Sequence, residues 1–155
     1  NINLIVIHST KTIEFCCGKI EFIPNFVNFL DDEIKFFDYN SILVRISYEN
    51  FNIILPNDIP FRYLKSFLHK GDFIFQIPRH GKYNEDFELI REFLLQNPEV
   101  KIKLGILSTD YSNFYKLNFP IFSTENCGNI EIEIKNEHLK INKIIKTNDG
   151  VKIQI

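Results

Sequence analysis

The sequence predicts one α/β domain, on three observations. Short apolar runs rich in β-branched residues, such as Ile42–Tyr48 and Val100–Leu107, have the length and composition of buried strands. Phe73–Leu107 sets a strand, an amphipathic helix and a second strand in succession, a crossover layout that is right-handed when its strands are parallel neighbours. The tail instead alternates polar residues with Ile at period two, the mark of a sheet with one solvated face. No repeat, low-complexity tract or linker divides the chain, so residues 1–155 read as a single domain.

Composition narrows the class. The chain has 155 residues, enough to bury one substantial core and short for two. Hydrophobic residues at 45% and charged residues at 25% place it among globular rather than disordered proteins. It has no Ala, Met or Trp but 16 Phe, and its Lys and Asn content suits an AT-rich coding sequence, so that content says nothing about partners. The chain does not begin with Met, which gives the expectation of a processed product or a piece of something longer. A net charge of −2 provides no general positive field, so binding to nucleic acid or anionic membrane would need a local patch. The apolar runs are far shorter than a bilayer span and no signal-peptide pattern opens the chain, so no membrane segment is expected. Cys16, Cys17 and Cys127 are odd in number with two adjacent, which suggests reduced thiols and a cytoplasmic compartment.

In order, Ile2–His8 reads as a buried strand. Lys11–Phe15 and Lys19–Ile23 alternate around Cys16-Cys17-Gly18, the pattern of a hairpin, and Pro24 ends it. Asn25–Phe37 is aromatic-rich and reads as a short helix or an ordered loop. Ile42–Tyr48 and Phe51–Leu55 form the central hairpin through Glu49-Asn50. Pro60 suits a helix start, Phe61, Leu64, Phe67 and Leu68 share a helical face, and Gly71 is a natural stop. After the strand Phe73–Ile77, Asn84 serves as N-cap, and Glu85, Asp86 and Glu88 complement the helix dipole. Phe87, Ile90, Leu94 and Leu95 supply that helix's apolar stripe, and Asn97-Pro98 ends it. Val100–Leu107 follows, then a short strand at Ile121-Phe122. Asn129–Lys135, Leu139–Lys146 and Val151–Ile155 are the alternating strands, with a tight turn at Asn148-Asp149-Gly150.

The stretch Asp72–Tyr83 is where chemistry is expected. An apolar strand runs into Pro78 and opens into Arg79-His80-Gly81-Lys82, and α/β proteins keep their ligands at the carboxyl ends of strands. The plain alternative is a solvated loop histidine. Asp58 follows the preceding strand through Pro56-Asn57; it either caps a helix or joins His80 around a metal ion or a polarised water. Arg79, Lys82 and Lys70 could form a small anion-binding corner, though in a Lys-rich chain such cations are commonly solvated. His8, His69, His80 and His138 are widely spaced, so no locally encoded zinc motif exists, and Cys16-Cys17 read as strand-end thiols. A thiol hydrolase built on Cys127 or Cys17 with His80 has no local signature behind it.

The order of elements from Lys19 to Ile134 resembles the later part of a metallo-β-lactamase-fold domain, in the branch attached to ComEC-type competence (DNA-internalisation) proteins. In that pattern a strand ends in proline before an Asn-x-x-Ser stretch, and a hairpin closes on Leu-x-Gly-Asp. A helix, a strand and a His-His-Gly-Ser loop follow, then a helix, a strand ending in Ser, and a Thr-x-x-x-Gly turn. Here Ile20–Pro24, Asn40-Ser41 with Ile42–Ile46, Ile53-Ile54-Leu55-Pro56-Asn57-Asp58, Ile77-Pro78-Arg79-His80-Gly81-Lys82, Gly105-Ile106-Leu107-Ser108 and Thr124–Ile130 stand at those places. The resemblance covers about three quarters of the chain and rests on order and spacing.

Its departures bear on function. The family's His-x-His-x-Asp-His motif is missing, and Ile2–His8 with Ser9 looks like its strand with the metal loop deleted. Asn57 replaces a Gly, Arg79 replaces the first His of the pair, and Tyr111 and Asn113 follow Ser108 without a His. The resemblance therefore implies a trimmed metallo-β-lactamase-like αββα fold, with mixed sheets flanked by helices and a vestigial site at Asp58, Arg79, His80, Lys82 and Ser108. The expected function is non-catalytic, as a binding or scaffolding subunit of a larger assembly, with a protein partner and no cofactor. The alternative is a metal-dependent hydrolase or phosphodiesterase, using zinc or manganese on Asp58 and His80 with ligands from another segment or chain.

Overall fold

A computed structural model describes residues 9–24, 41–108, 117–127, 130–132, 145–147 and 150–153. Seven strands form one mixed sheet in strict chain order: β1 (Lys11–Phe15), β2 (Gly18–Pro24), β3 (Ile42–Tyr48), β4 (Phe51–Leu55), β5 (Gly71–Gln76), β6 (Val100–Leu107) and β7 (Ile121–Ser123). The first four are an antiparallel meander, and β4 to β7 are parallel neighbours. The turnover between the two modes falls at β4, because Glu49-Asn50 is short enough for a hairpin whereas every later connection crosses over. β8 (Ile130–Ile132), β9 (Ile145–Thr147) and β10 (Gly150–Ile153) form a separate three-stranded sheet in the order β8-β10-β9. The expected strands at Ile2–His8 and the segment Asn25–Phe37 lie outside the described residues.

Two apolar clusters clothe the two faces of the large sheet. One face carries the main core, in which Ile54, Phe61, Leu64, Phe73, Phe75, Ile77, Phe87, Ile90 and Leu107 are fully or almost fully buried. It is covered by α1 (Asn84–Gln96) and by two 3-10 turns, Phe61–Tyr63 and Lys65–Phe67. On the other face Ile74 and Leu104 are buried, with Ile53, Ile106, Phe122, Ile130 and Ile132 packed against them. Ile130 and Ile132 belong to β8, so the small sheet contributes to that second layer. Of the 16 Phe residues, Phe51, Phe61, Phe73, Phe75 and Phe87 are buried. The rings at those five positions fill the core.

Three expected elements differ. The helix foreseen from Pro60 to Gly71 is instead the pair of 3-10 turns. Phe61, Leu64 and Leu68 still point inward, since a three-residue turn serves that spacing as well as an α turn over so short a segment. The N-cap of α1 is Tyr83, and Asn84 is already helical. Leu95 is 75% exposed rather than part of the stripe. At about 100° per residue it falls well off the face shared by Phe87, Ile90 and Leu94, and Phe93 takes its place against the core.

A β-bulge shapes the working end of the sheet. Phe73 faces Ile102 but Ile74 faces Leu104, so Lys103 is the extra residue on β6. Strands alternate faces with period two, so this one insertion flips every later side chain of β6 and sets the direction of Leu107 and Ser108. Lys103 places its Nζ 3.4 Å from Asp72.

At the other end, β1 is an edge strand exposed along its whole length, with Phe15 stacked on Tyr48 at a ring separation of 6.2 Å. Gly18 opens β2 because a Cβ there would collide with the Ser47 carbonyl oxygen. Beside it Glu21, buried on β2, accepts from Arg45 Nε at 2.7 Å and from Lys19 Nζ at 3.1 Å. The bond from Arg45 holds the Glu21 carboxyl below its usual range, against the opposing effect of burial, with Lys19 helping. A depressed folded-state pKa stabilises the fold above the ordinary carboxylate range, and that contribution disappears as pH falls through the lowered value. Glu21→Gln is expected to cost about 1 kcal/mol at neutral pH. In urea denaturation the gap between the two proteins should close in acid, and an equal gap at every pH would refute this account.

Candidate functional site

β4, β5 and β6 are adjacent and parallel, so their carboxyl ends share one edge of the sheet. The segments that leave them carry Asp58, His80 and Ser108 respectively. The structure brings these three residues together. His80 Nδ1 is hydrogen-bonded to Ser108 Oγ, and His80 Nε2 lies 3.5 Å from Asp58 Oδ1. The histidine and carboxylate side chains are 44% and 42% exposed, and Ser108 is half-buried, so the trio opens to solvent. Asp58 lies beside His80, and the following 3-10 turn is headed by Pro60 with no side-chain cap bond.

The backbone that presents them is strained. Arg79 and His80 both adopt left-handed conformations, with φ of 50° and 55°, and Gly81 follows at 68°. A left-handed non-glycine residue costs roughly 1–2 kcal/mol, and such conformations persist only where surrounding contacts enforce them. Here the contacts are plain. Ile77 N–H donates to Ile106 at 2.7 Å, and Arg79 N–H donates to the Asn57 carbonyl at 2.8 Å. Asn57 is itself left-handed at φ 55°, and its side-chain amide donates to the Ile42 carbonyl at 2.8 Å. The histidine loop is thereby tied to the Asp58 loop and, through it, to the head of β3.

The strongest tie is one the sequence reading did not anticipate. Arg79 Nε and Nη2 each lie 2.8 Å from Asp86 Oδ2, and the guanidinium sits 3.9 Å over the Tyr83 ring. Asp86 Oδ1 accepts the Phe61 backbone N–H at 2.9 Å, and the Asp86 side chain is 1% exposed. One carboxylate in the first turn of α1 therefore fixes the histidine loop, the helix and the 3-10 turn over the core. A signal for it exists in the sequence. Asp86 precedes Ile90 by four residues, so it lies on the buried face of the helix and must find a cation. Assigning it to the helix dipole overlooked that face.

Of the three cations weighed for an anion-binding corner, Arg79 is engaged by Asp86 and Tyr83. Lys82 is exposed, and its N–H closes the turn on the Arg79 carbonyl at 3.1 Å. Cys127 ends the short helix α2 (Thr124–Cys127) beyond β7, and Cys17 lies at the distant β1–β2 turn, where its Sγ is 3.5 Å from Cys16 Sγ. Tyr111, Asn113, His8 and His138 lie outside the described residues. Among the described residues no three His, Cys, Asp or Glu side chains gather around a point that could hold a metal ion, and no helix is long and apolar enough to cross a membrane.

Chemically the trio has two proton arrangements, because either nitrogen of a neutral imidazole can carry the hydrogen. With the proton on Nδ1, Ser108 Oγ accepts and the Nε2 lone pair faces Asp58; that arrangement calls for a cation between them. With the proton on Nε2, it points at the Asp58 carboxylate and Ser108 donates its hydroxyl proton to Nδ1. The architecture is that of an α/β domain with a mixed sheet and a histidine loop at its parallel edge. Comparison with protein-family models, curated proteins and solved structures finds no match for the chain.

Proposed function

We propose that this chain is a trimmed metallo-β-lactamase-like domain of the ComEC-type branch whose dinuclear metal chemistry has been replaced by a binding or scaffolding role in a larger assembly. The observation that carries the reading is the Arg79–Asp86 pair. Where the family pattern has a ligand histidine, this chain has a guanidinium engaged with a buried carboxylate. That arrangement spends the position on rigidity, because a guanidinium has no lone pair to offer a metal ion and this one is held by Asp86. Asn57 supports the same ancestry: it holds the left-handed conformation that suits the Gly of a Leu-x-Gly-Asp turn. The exposed edge strand β1, with Ile13 55% and Phe15 42% exposed, offers a partner a row of backbone groups and two apolar anchors.

The test is the metal content and the company of the purified chain. Substoichiometric zinc and manganese, with a protein partner retained through gel filtration and weakened by Phe15→Asp, is the expected result. Near-stoichiometric metal that disappears in both Asp58→Ala and His80→Ala overturns it, and a chain that elutes alone removes its main support. One observation favours a second reading, a metal-dependent hydrolase or phosphodiesterase completed by ligands from another segment or chain. The 3.5 Å between Asp58 Oδ1 and His80 Nε2 matches the edge spanned by two ligands of a tetrahedral ion with bonds of about 2.0–2.2 Å. In that reading Asp58 and His80 would hold the ion, and Ser108 Oγ would accept a hydrogen bond from Nδ1–H and fix the imidazole's orientation.

A further inference from the structure

The geometry points to a metal-independent activity of the same trio: Ser108 is a nucleophile, His80 its general base, and Asp58 the carboxylate that orients and stabilises the imidazole, acting on carboxylic esters. This goes beyond the scaffold reading and stands apart from it, because a domain held in an assembly can still carry a reactive serine.

Four features carry the inference. The nucleophile and base are already in contact, Ser108 Oγ with His80 Nδ1, which is the arrangement nucleophilic catalysis requires. The third group sits on the other ring nitrogen, with Asp58 Oδ1 3.5 Å from Nε2, a separation a small rotation converts into a hydrogen bond. Either tautomer fits these contacts, and the one with its hydrogen on Nε2 aims it at Asp58 and leaves Nδ1 to take the serine proton. Finally, the three residues come from three different strand ends, and His80 is held in a left-handed turn that costs folding energy. The nitrogens are used in the reverse of the serine-protease order, but the roles are set by geometry rather than by atom name.

The substrate class follows from charge. Phosphoryl transfer needs several cations to neutralise its equatorial oxygens, and with the loop's guanidinium bound to Asp86 that loop has Lys82 left to offer. A carboxylic ester is neutral and makes no such demand. As the Ser108 Oγ–carbonyl bond forms, its proton passes to His80 Nδ1, and Asp58 holds the Nε2–H of the resulting imidazolium. The imidazolium returns that proton to the departing alkoxide as the C–O bond breaks and the alcohol leaves. Water then attacks the acyl-serine and gives a proton to His80, which passes it to Ser108 Oγ as the acyl C–O bond breaks, releasing the acid and restoring the serine hydroxyl and the neutral imidazole.

The test uses the whole chain, a fluorophosphonate probe and p-nitrophenyl acetate. The expected result is one probe per chain, mapped by peptide mass analysis to Ser108. Hydrolysis of the ester should fall about 10²-fold in Ser108→Ala and in His80→Asn, the scale of one general base. It should fall about tenfold in Asp58→Asn and be unaffected by EDTA. Asn is chosen at position 80 because it tolerates the left-handed backbone. The proposal is overturned if the wild-type chain takes up no probe, or takes it up elsewhere than Ser108; this readout needs no variant to fold. It is equally overturned if ester hydrolysis disappears with EDTA and returns with zinc or manganese, which is the metal-dependent reading. Partner retention is measured separately, so failure here leaves the scaffold reading intact.

Discussion

Asp86→Ala is expected to destabilise the fold by about 3 kcal/mol, the low end of the range for breaking a buried ion pair by removing one partner. The carboxylate is 1% exposed, accepts the Phe61 N–H and binds two nitrogens of Arg79. Alanine leaves a buried backbone donor and a guanidinium without their acceptor, and each unsatisfied group costs on the order of 1–3 kcal/mol. Arg79 retains 16% exposure and its stacking on Tyr83, so water recovers part of its loss, which is why the low end applies. A urea titration measures the change, and a loss below 1 kcal/mol would show that the pair is not the clasp described above. Adding Arg79→Ala should restore part of the loss, because the orphaned cation is then gone, whereas independent residues would simply add. Asp86→Ala should also slow probe labelling of Ser108, since the left-handed histidine loop loses its anchor.

Phe75→Ala should cost about 3–5 kcal/mol, the usual range for emptying a fully buried phenylalanine site. Phe75 lies on central strand β5 at 0% exposure, edge-on to Phe61 with ring centroids 6.0 Å apart. Its neighbours sit on a sheet strand and a turn held by Asp86, so they have little freedom to collapse into the space. Leu95→Ala is the matched control: at 75% exposure it should change stability by under about 0.5 kcal/mol. Comparable losses at the two positions would contradict the placement of the core. An unchanged denaturant slope in both variants would show that folding remains cooperative.

Most strands of the large sheet were legible in the residues. Ile42–Tyr48, Phe51–Leu55 and Val100–Leu107 emerge with the bounds their patterns imply, and Ile121-Phe122 gains one residue. Apolar runs bounded by Pro, Gly and Asn leave little choice there, because burial and turn chemistry agree. The Pro60–Gly71 segment was harder, since Phe61, Leu64 and Leu68 satisfy a three-residue and an α-helical turn alike. The site followed the same division. Asp58, Arg79, His80 and Lys82 drew attention by their places after strands and Ser108 through the family resemblance, and the structure puts Asp58, His80 and Ser108 in contact. Lys82 stays at the surface and Arg79 faces the helix instead.

What the sequence determined by itself was local: which runs are strands, where each one ends, and hence which polar residues stand at those ends. Burial pattern and turn residues encode that within a window of a few residues. What only the tertiary structure decided was company. Ser108 meets His80 across 28 residues and Phe61 finds Asp86 across 25. A β-bulge at Lys103 sets the face from which Ser108 approaches. No local pattern records these pairings, because they depend on strand order, register and the one residue by which β6 outruns β5.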